Sequence, residues 1–129
     1  MPHIHAATGL PADVYSARCP TRELLDHIAG KWTVLIVDAL ADRTLRYTDL
    51  RARIEGISQK MLTQTLRALE HDGFVERTAY PTIPPRVEYT LTELGHSLRE
   101  PIAALREWIE AHIDDVEAAR LRAATAPRG

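Results

Sequence analysis

The sequence predicts a mainly α fold of the α+β class, in which short helices precede a two-stranded hairpin and a long helix follows it. Apolar residues recur every three or four positions before residue 72 and again after residue 92, which is the helical period. Between these stretches, residues 74–80 and 86–91 are rich in β-branched and aromatic side chains, and Pro-Thr-Ile-Pro-Pro separates the two runs. The length of 129 residues suits one domain, and 45% hydrophobic with 26% charged residues argues against a disordered or membrane-embedded chain.

Three short helices are predicted in the first half of the chain. The first covers residues 21–28, with Pro20 suited to the first turn and Gly30 to the end. Residues 32–41 are rich in aliphatic side chains; such a run suits a buried strand or a buried helix, and its length of ten favours a helix. The third helix, at residues 47–54, carries apolar side chains four positions apart.

A longer fourth helix is predicted at residues 59–72, after a turn that contains Gly56. Ser58 stands at its N-cap position, where a hydroxyl accepts a hydrogen bond from a free helix amide, and Gly73 follows as the C-cap. The helix is amphipathic, with Met61, Leu62, Leu66 and Leu69 on the apolar face and Lys60, Thr63, Gln64, Arg67 and His71 on the polar face.

The last part of the chain predicts a long helix that Thr92 caps. Its apolar positions are Leu94, Leu98, Ile102, Leu105, Ile109, Ile113 and Val116. Pro101 is expected to kink this helix because proline removes an amide donor and crowds the preceding turn. The predicted organisation is a flexible N-terminal arm at residues 1–18, a single domain at residues 19–118 and a fraying C-terminal tail at residues 119–129.

This order of elements is that of a winged helix-turn-helix with a two-stranded wing. In such a fold, one helix enters the major groove of double-stranded DNA, where glutamine pairs with adenine, arginine pairs with guanine, and serine, threonine and lysine bind phosphate. The candidate major-groove residues are Ser58, Gln59, Lys60, Thr63, Gln64 and Arg67. Arg77 and Arg86 are the candidate DNA-binding residues of the wing.

The distribution of charge supports this interpretation better than the total does. The net charge is −2, but residues 43–88 hold eight Lys and Arg against six Asp and Glu. Residues 58–67 contain Lys60 and Arg67 and no acid, so this strip suits either phosphate binding or an ordinary solvated helix face.

Several short motifs resemble the HxlR family of bacterial winged helix-turn-helix regulators, which is related to the MarR group. They are Cys-Pro at 19–20, Gly-Lys-Trp-Thr at 30–33, Arg-Tyr-Thr-Asp-Leu at 46–50, Gly-Ile-Ser-Gln-Lys-Met-Leu-Thr at 56–63, Leu-Glu-His-Asp-Gly at 69–73 and Pro-Pro-Arg-Val-Glu-Tyr-Thr-Leu-Thr-Glu-Leu-Gly at 84–95. The resemblance covers about residues 19–110. It implies a transcriptional regulator that represses or activates genes as a homodimer on a palindromic operator, with its two recognition helices about 34 Å apart.

The apolar stripe of the last helix also predicts a homodimer. It extends over more than five turns and includes Trp108, which is more apolar surface than a small domain covers by itself. The stripe would be covered by terminal dimerisation helices of a second copy, or it would fold back on its own domain.

Cys19 is the candidate redox-sensing residue. If Pro20 is the first helical residue, Cys19 stands at the N-cap, where free amides and the helix dipole lower the pKa of a thiol. Some members of the family sense oxidants or electrophiles through a cysteine at the matching position, which makes a small electrophile or oxidant a candidate effector. The alternative is a small side chain buried at the helix start.

Other functions find little support in the sequence. It contains no G-x-S-x-G, glycine-rich phosphate loop or H-E-x-x-H, so we expect no enzyme activity, no cofactor and no metal, and the six histidines are expected at the surface or in the core. A single cysteine and the lack of a targeting segment or apolar run of 18 residues predict a cytoplasmic protein without a membrane partner. Two alternatives stay open: a regulator with a small-molecule ligand at the dimer interface near Trp32 and Trp108, and a winged-helix module for protein interactions.

Overall fold

The computed structural model describes residues 13–16 and 20–127. Its elements are α1 (Pro20–Ala29), α2 (Lys31–Ala39), β1 (Leu45–Arg46), α3 (Tyr47–Arg53), α4 (Gln59–His71), β2 (Val75–Tyr80), β3 (Arg86–Leu91), α5 (Glu93–His96) and α6 (Arg99–Thr125). The mainly α winged helix-turn-helix fold predicted from the sequence is confirmed, and each predicted helix or strand before residue 92 lies within two residues of its predicted bounds.

The core forms where α2, α3 and α4 meet the sheet. Its most deeply buried large side chains are Ile36, Val37, Leu40, Leu50, Leu62 and Leu66. They come from the three helices that the hydrophobic periodicity predicted, because each helix presents one apolar face to the others. Ile102 joins them from the first turn of α6 and attaches the long helix to the domain.

The sheet has three strands, because a short strand that the sequence did not predict pairs with the two-stranded wing. The strand order is β1-β3-β2, all antiparallel, with Leu45 opposite Tyr89 and Arg77 opposite Tyr89 on the other side. β1 contains two residues, too few to show the alternating pattern by which a strand is recognised in a sequence. It joins the wing to the start of α3 and so sets where the wing stands relative to the helices.

The predicted kink at Pro101 is wrong. The helical stretch is instead interrupted at Ser97 and Leu98, so that α5 and α6 are separate helices, and Pro101 lies in the first turn of α6. Amides of a first helical turn have no acceptor within the helix, so proline there removes no hydrogen bond. α6 also continues to Thr125, through most of the segment predicted as a fraying tail.

Two arginines tie α6 to α2 and the loop after it. Arg106 donates hydrogen bonds to Glu110 at 2.6 Å and to Asp38 of α2 at 3.3 Å, and Arg99 pairs with Asp42. The bond to Glu110 and the nearby charge of Asp38 raise the pKa of Arg106 above its ordinary value. These polar contacts lie on one side of α6 and leave its apolar stripe uncovered.

Candidate nucleic-acid interface

The N-terminal end of α4 is exposed to solvent, and the preceding turn and the Ser58 cap fix its position. Gly56 adopts a φ of +88°, which favours glycine, and the turn delivers Ser58 to the N-cap. The Ser58 hydroxyl oxygen accepts a hydrogen bond from the amide of Met61 at 3.0 Å. The predicted cap is therefore confirmed, and the exposed first turn of α4 presents the positive end of its helix dipole to any ligand in front of it.

Tyr47 fixes this first turn against α3. Its hydroxyl donates to the carbonyl oxygen of Gln59 at 3.1 Å and lies 3.0 Å from the hydroxyl of Thr63. Because the single hydroxyl hydrogen of Tyr47 goes to the carbonyl, Thr63 supplies the hydrogen of the second bond. Thr63, which the sequence placed on the polar face of α4, is half-buried and bonded to α3.

The wing stands beside α4 and carries two arginines in different environments. Arg86 lies directly opposite Tyr80 in the hairpin, and its guanidinium group stacks 4.2 Å above the centre of the tyrosine ring. Its Nε atom is 3.4 Å from a carboxylate oxygen of Glu88. Arg77, in contrast, is exposed. The guanidinium group of Arg86 is therefore held in one orientation by these contacts. The exposed side chain of Arg77 can instead reorient toward a ligand.

A groove runs between α4 and the wing, and its charge is strongly positive. Four arginines line it, namely Arg46, Arg67, Arg77 and Arg86, against one acid, Glu70. The four come from β1, α4, β2 and β3. Cations that converge from four elements on one groove create a positive potential suited to a polyanion such as the backbone of a nucleic acid.

The eight predicted contact residues separate into two groups. Thr63, Arg67, Arg77 and Arg86 line the groove, whereas Ser58, Gln59, Lys60 and Gln64 lie on the exposed face of α4 outside it. Six of the eight belong to α4 and its N-cap, and two belong to the wing beside it. Their roles in DNA binding stay predictions, but their placement leaves the side chains of Lys60, Gln64 and Arg67 exposed on one helix.

Sequence reasoning missed Arg46 and Thr48, which also line the groove. Arg46 is the N-cap residue of α3, and its backbone amide donates to the carboxylate of Asp49 at 3.1 Å. A cation at a helix N-terminus is electrostatically unfavourable for the helix, which marks Arg46 as unusual in the sequence.

Cys19, the predicted redox-sensing residue, lies outside the described residues. The first described residue of α1 is Pro20, one residue before the predicted start at residue 21. α1 contacts α4 through His27, whose Nδ1 atom is 3.2 Å from a carboxylate oxygen of Asp72 at the α4 C-terminus.

α6 carries an exposed apolar surface that is separate from the residues of the groove. Leu105, Trp108, Ile109 and Ile113 are each about half exposed and recur at helical spacing along one stripe. The ring of Trp108 stacks on His112 with 4.4 Å between the ring centres. Leu24 and Leu25 of α1 are also exposed. Within the described residues, no helix is long and apolar enough to cross a membrane, and no three His, Cys, Asp or Glu side chains form a metal-binding group.

Comparison with known proteins gives a consistent result. The pattern of the HxlR-like helix-turn-helix family matches residues 27–117. YtfH of Escherichia coli (strain K12), called an uncharacterised HTH-type transcriptional regulator, is 50% identical over 108 residues, which are 84% of this chain and 86% of YtfH. The structure of YtfH from Salmonella typhimurium matches with a TM-score of 0.82 and 48% identity, over 85% of this chain and 98% of that one. The redox regulator HypR in its reduced form matches with a TM-score of 0.70 and 39% identity, over 77% of this chain and 98% of that one.

Proposed function

The chain belongs to the HxlR-like helix-turn-helix family of transcriptional regulators, and from this premise we propose that it binds palindromic promoter DNA as a homodimer. α4 is the recognition helix and the hairpin is the wing. Base contacts come from Gln59, Gln64 and Arg67, and phosphate contacts from Ser58, Lys60, Thr63, Arg77 and Arg86.

The main support for this proposal is the groove lined by Arg46, Arg67, Arg77 and Arg86, which we call the arginine groove. Its four arginines and single glutamate stand in a chain whose net charge is −2, so the positive charge is concentrated where the helix and wing meet. Each cation that neutralises a phosphate releases a counterion from the DNA, which makes the binding favourable and dependent on salt.

The homodimer follows from the apolar stripe of α6. In one subunit the side chains of Leu105, Trp108, Ile109 and Ile113 remain about half exposed, because α6 contacts its own domain mainly through its first turns. A second copy covers the stripe, and a two-fold axis repeats α4 at about one turn of B-DNA. The operator is then a palindrome.

Fluorescence anisotropy of labelled duplexes tests the DNA-binding proposal. The reduced protein is titrated into DNA from upstream of its own gene and into scrambled DNA, at two salt concentrations. We expect preferential binding to the upstream DNA, or to a sequence selected from random DNA, that weakens steeply with salt. Arg77→Ala should reduce the slope of log affinity against log salt by about one per subunit.

Arg120→Ala is the matched control for Arg77→Ala. Arg120 is exposed like Arg77 but lies on α6, where it pairs with Glu117 at 2.9 Å. Its removal should leave the slope unchanged. Failure of the wild type to bind any DNA at either salt concentration would contradict the proposal and favour the protein-interaction module.

A redox response through Cys19 is the second part of the proposal. It is favoured by the likeness to HypR, a redox regulator whose structure is known in a reduced and an oxidised form. Since the chain has one cysteine, diamide would remove two hydrogens from the thiols of two subunits and join their sulfur atoms in an intersubunit disulfide. Diamide itself takes up the two hydrogens.

We expect diamide to weaken or alter DNA binding by the wild type and to have no effect on Cys19→Ser. Non-reducing electrophoresis of the same samples shows whether the disulfide forms. An equal response of the serine variant would contradict a role for Cys19. A ligand-dependent shift in melting temperature that survives Cys19→Ser would instead favour a small-molecule effector at the dimer interface.

A further inference from the structure

The tip of the wing carries an isoleucine that is wholly exposed. Residues 81–85 connect β2 to β3, and Ile83 at their centre has 100% of its side-chain surface in contact with solvent. Burial of an isoleucine side chain lowers the free energy, so a partner that covered Ile83 at the apex of this loop would gain binding free energy from the contact.

The loop holds Ile83 in this position. Pro81, Pro84 and Pro85 restrict the backbone on both sides, and the Thr82 hydroxyl donates to the carbonyl oxygen of Pro84 at 2.8 Å. The stacked pair of Tyr80 and Arg86 closes the base of the loop. A tip braced in this way loses little conformational entropy when it inserts into another molecule.

The chemistry of the tip does not suit phosphate. Three of its five residues are prolines without an amide hydrogen, it carries no charged side chain, and the hydroxyl hydrogen of Thr82 is already donated to Pro84. The cations lie behind it, because Ile83 lines the same groove as Arg67, Arg77 and Arg86. The groove therefore offers charges for the DNA backbone and, at its outer end, one apolar side chain.

We propose that Ile83 is a wedge that enters the minor groove of bound DNA and partly unstacks one base step. The inference rests on the proposed function, since it requires α4 in the adjacent major groove. Apolar side chains that insert between base pairs from the minor groove kink the duplex toward the major groove. The deformation is easiest at flexible pyrimidine–purine steps, so Ile83 contributes specificity at a step that no hydrogen bond reads.

Permanganate reactivity and DNA bending test the wedge. The probe is a duplex that the wild-type protein selects from random DNA, because permanganate oxidises thymines that are unstacked at any position along it. Energy transfer between dyes at the duplex ends reports the bend. We expect the wild type to produce reactive thymines at two positions related by the two-fold axis and to shorten the distance between the ends.

Ile83→Ala should abolish the thymine reactivity and reduce the bend, and affinity should fall about tenfold because the inserted apolar contact is lost. The salt slope should not change, since no cation is removed. Ile83→Leu, which keeps a large apolar side chain, should retain both signals. The melting temperature of Ile83→Ala should equal that of the wild type, because the side chain is fully exposed and contributes nothing to the core.

Two results would overturn the wedge while leaving the proposed function intact: wild-type protein that binds specifically without reactive thymines, or Ile83→Ala that binds and distorts DNA as the wild type does. In the second case, loss of a protein contact by Ile83→Ala would assign the tip to a protein partner. Absence of specific DNA binding by the wild type would overturn the proposed function itself, and the wedge with it.

Discussion

Gly95 has no room for a side chain. A Cβ atom at this position would lie 2.0 Å from the carbonyl oxygen of Phe74, which is backbone and accepts a hydrogen bond from the amide of Thr92. The close approach packs α5 onto the start of the wing. Position 95 requires glycine because of this contact with the Phe74 backbone. Nothing in the sequence indicated it, since Gly95 does not stand in a turn motif.

Gly95→Ala should therefore lower the free energy of unfolding by about 3 kcal/mol, because the wing and α5 must separate to admit the methyl group. Urea unfolding followed by circular dichroism measures the change. Gly30→Ala is the control, since its Cβ atom would meet nothing closer than 3.8 Å. Its cost should remain under about 1 kcal/mol. Equal effects of the two substitutions would show that contact with Phe74 is not the cause.

Arg67 is an exposed arginine of α4 that lines the groove, and it lies two turns after the helix start. Arg67→Ala should weaken specific DNA binding by about 1–3 kcal/mol and relax the preference at one base pair per half-site, if its guanidinium group pairs with guanine. Binding to a set of single-base variants of the operator measures both effects. Unchanged affinity and unchanged site preference would remove Arg67 from the interface.

At the scale of elements, α4 has two roles that one substitution can separate. Its N-terminus is capped by Ser58, which stabilises the helix, and in the proposed DNA complex the same end faces phosphate. Ser58 is exposed and serves both, because its oxygen accepts from the Met61 amide while its hydrogen remains available to a ligand.

Ser58→Asp should keep the cap and the free energy of unfolding within about 0.5 kcal/mol of the wild type, since aspartate is a favoured N-cap. DNA affinity should nevertheless fall about tenfold or more, because the carboxylate repels phosphate. Thermal unfolding and anisotropy are measured on the same preparation. Ser58→Asn, a cap without charge, is the matched control, and full DNA affinity in Ser58→Asp would place the α4 N-terminus away from the DNA.

The whole molecule presents two distinct surfaces, the arginine groove and the apolar stripe of α6. If the stripe is the dimer interface, Trp108→Glu should convert the dimer to monomers, since a buried carboxylate without a partner is costly. Sedimentation equilibrium measures the mass. The subunit should stay folded because Trp108 is 55% exposed within it.

Leu94→Glu provides the control for Trp108→Glu. Leu94 is 53% exposed but lies on α5, outside the stripe, so the dimer should persist. A dimer that survives Trp108→Glu would place the contact between subunits elsewhere. Monomers formed by Trp108→Glu should also bind DNA more weakly, because each reaches only one half-site.

The sequence by itself determined the helices, the cap at Ser58 and the two long wing strands, since these depend on local periodicity, capping and turn residues.

Only the tertiary structure decided the third strand β1, the separation of α5 from α6 and the place of Pro101 in a first turn. The two-residue strand exists because β3 offers it an edge, and the helix break accompanies the approach of Gly95 to Phe74. Similarly, the arginines of the groove are far apart in sequence and converge only when β1, α4 and the wing are packed together. The sequence reveals features that depend on the conformational preferences of neighbouring residues. Contacts between distant segments depend instead on how the helices and strands pack together.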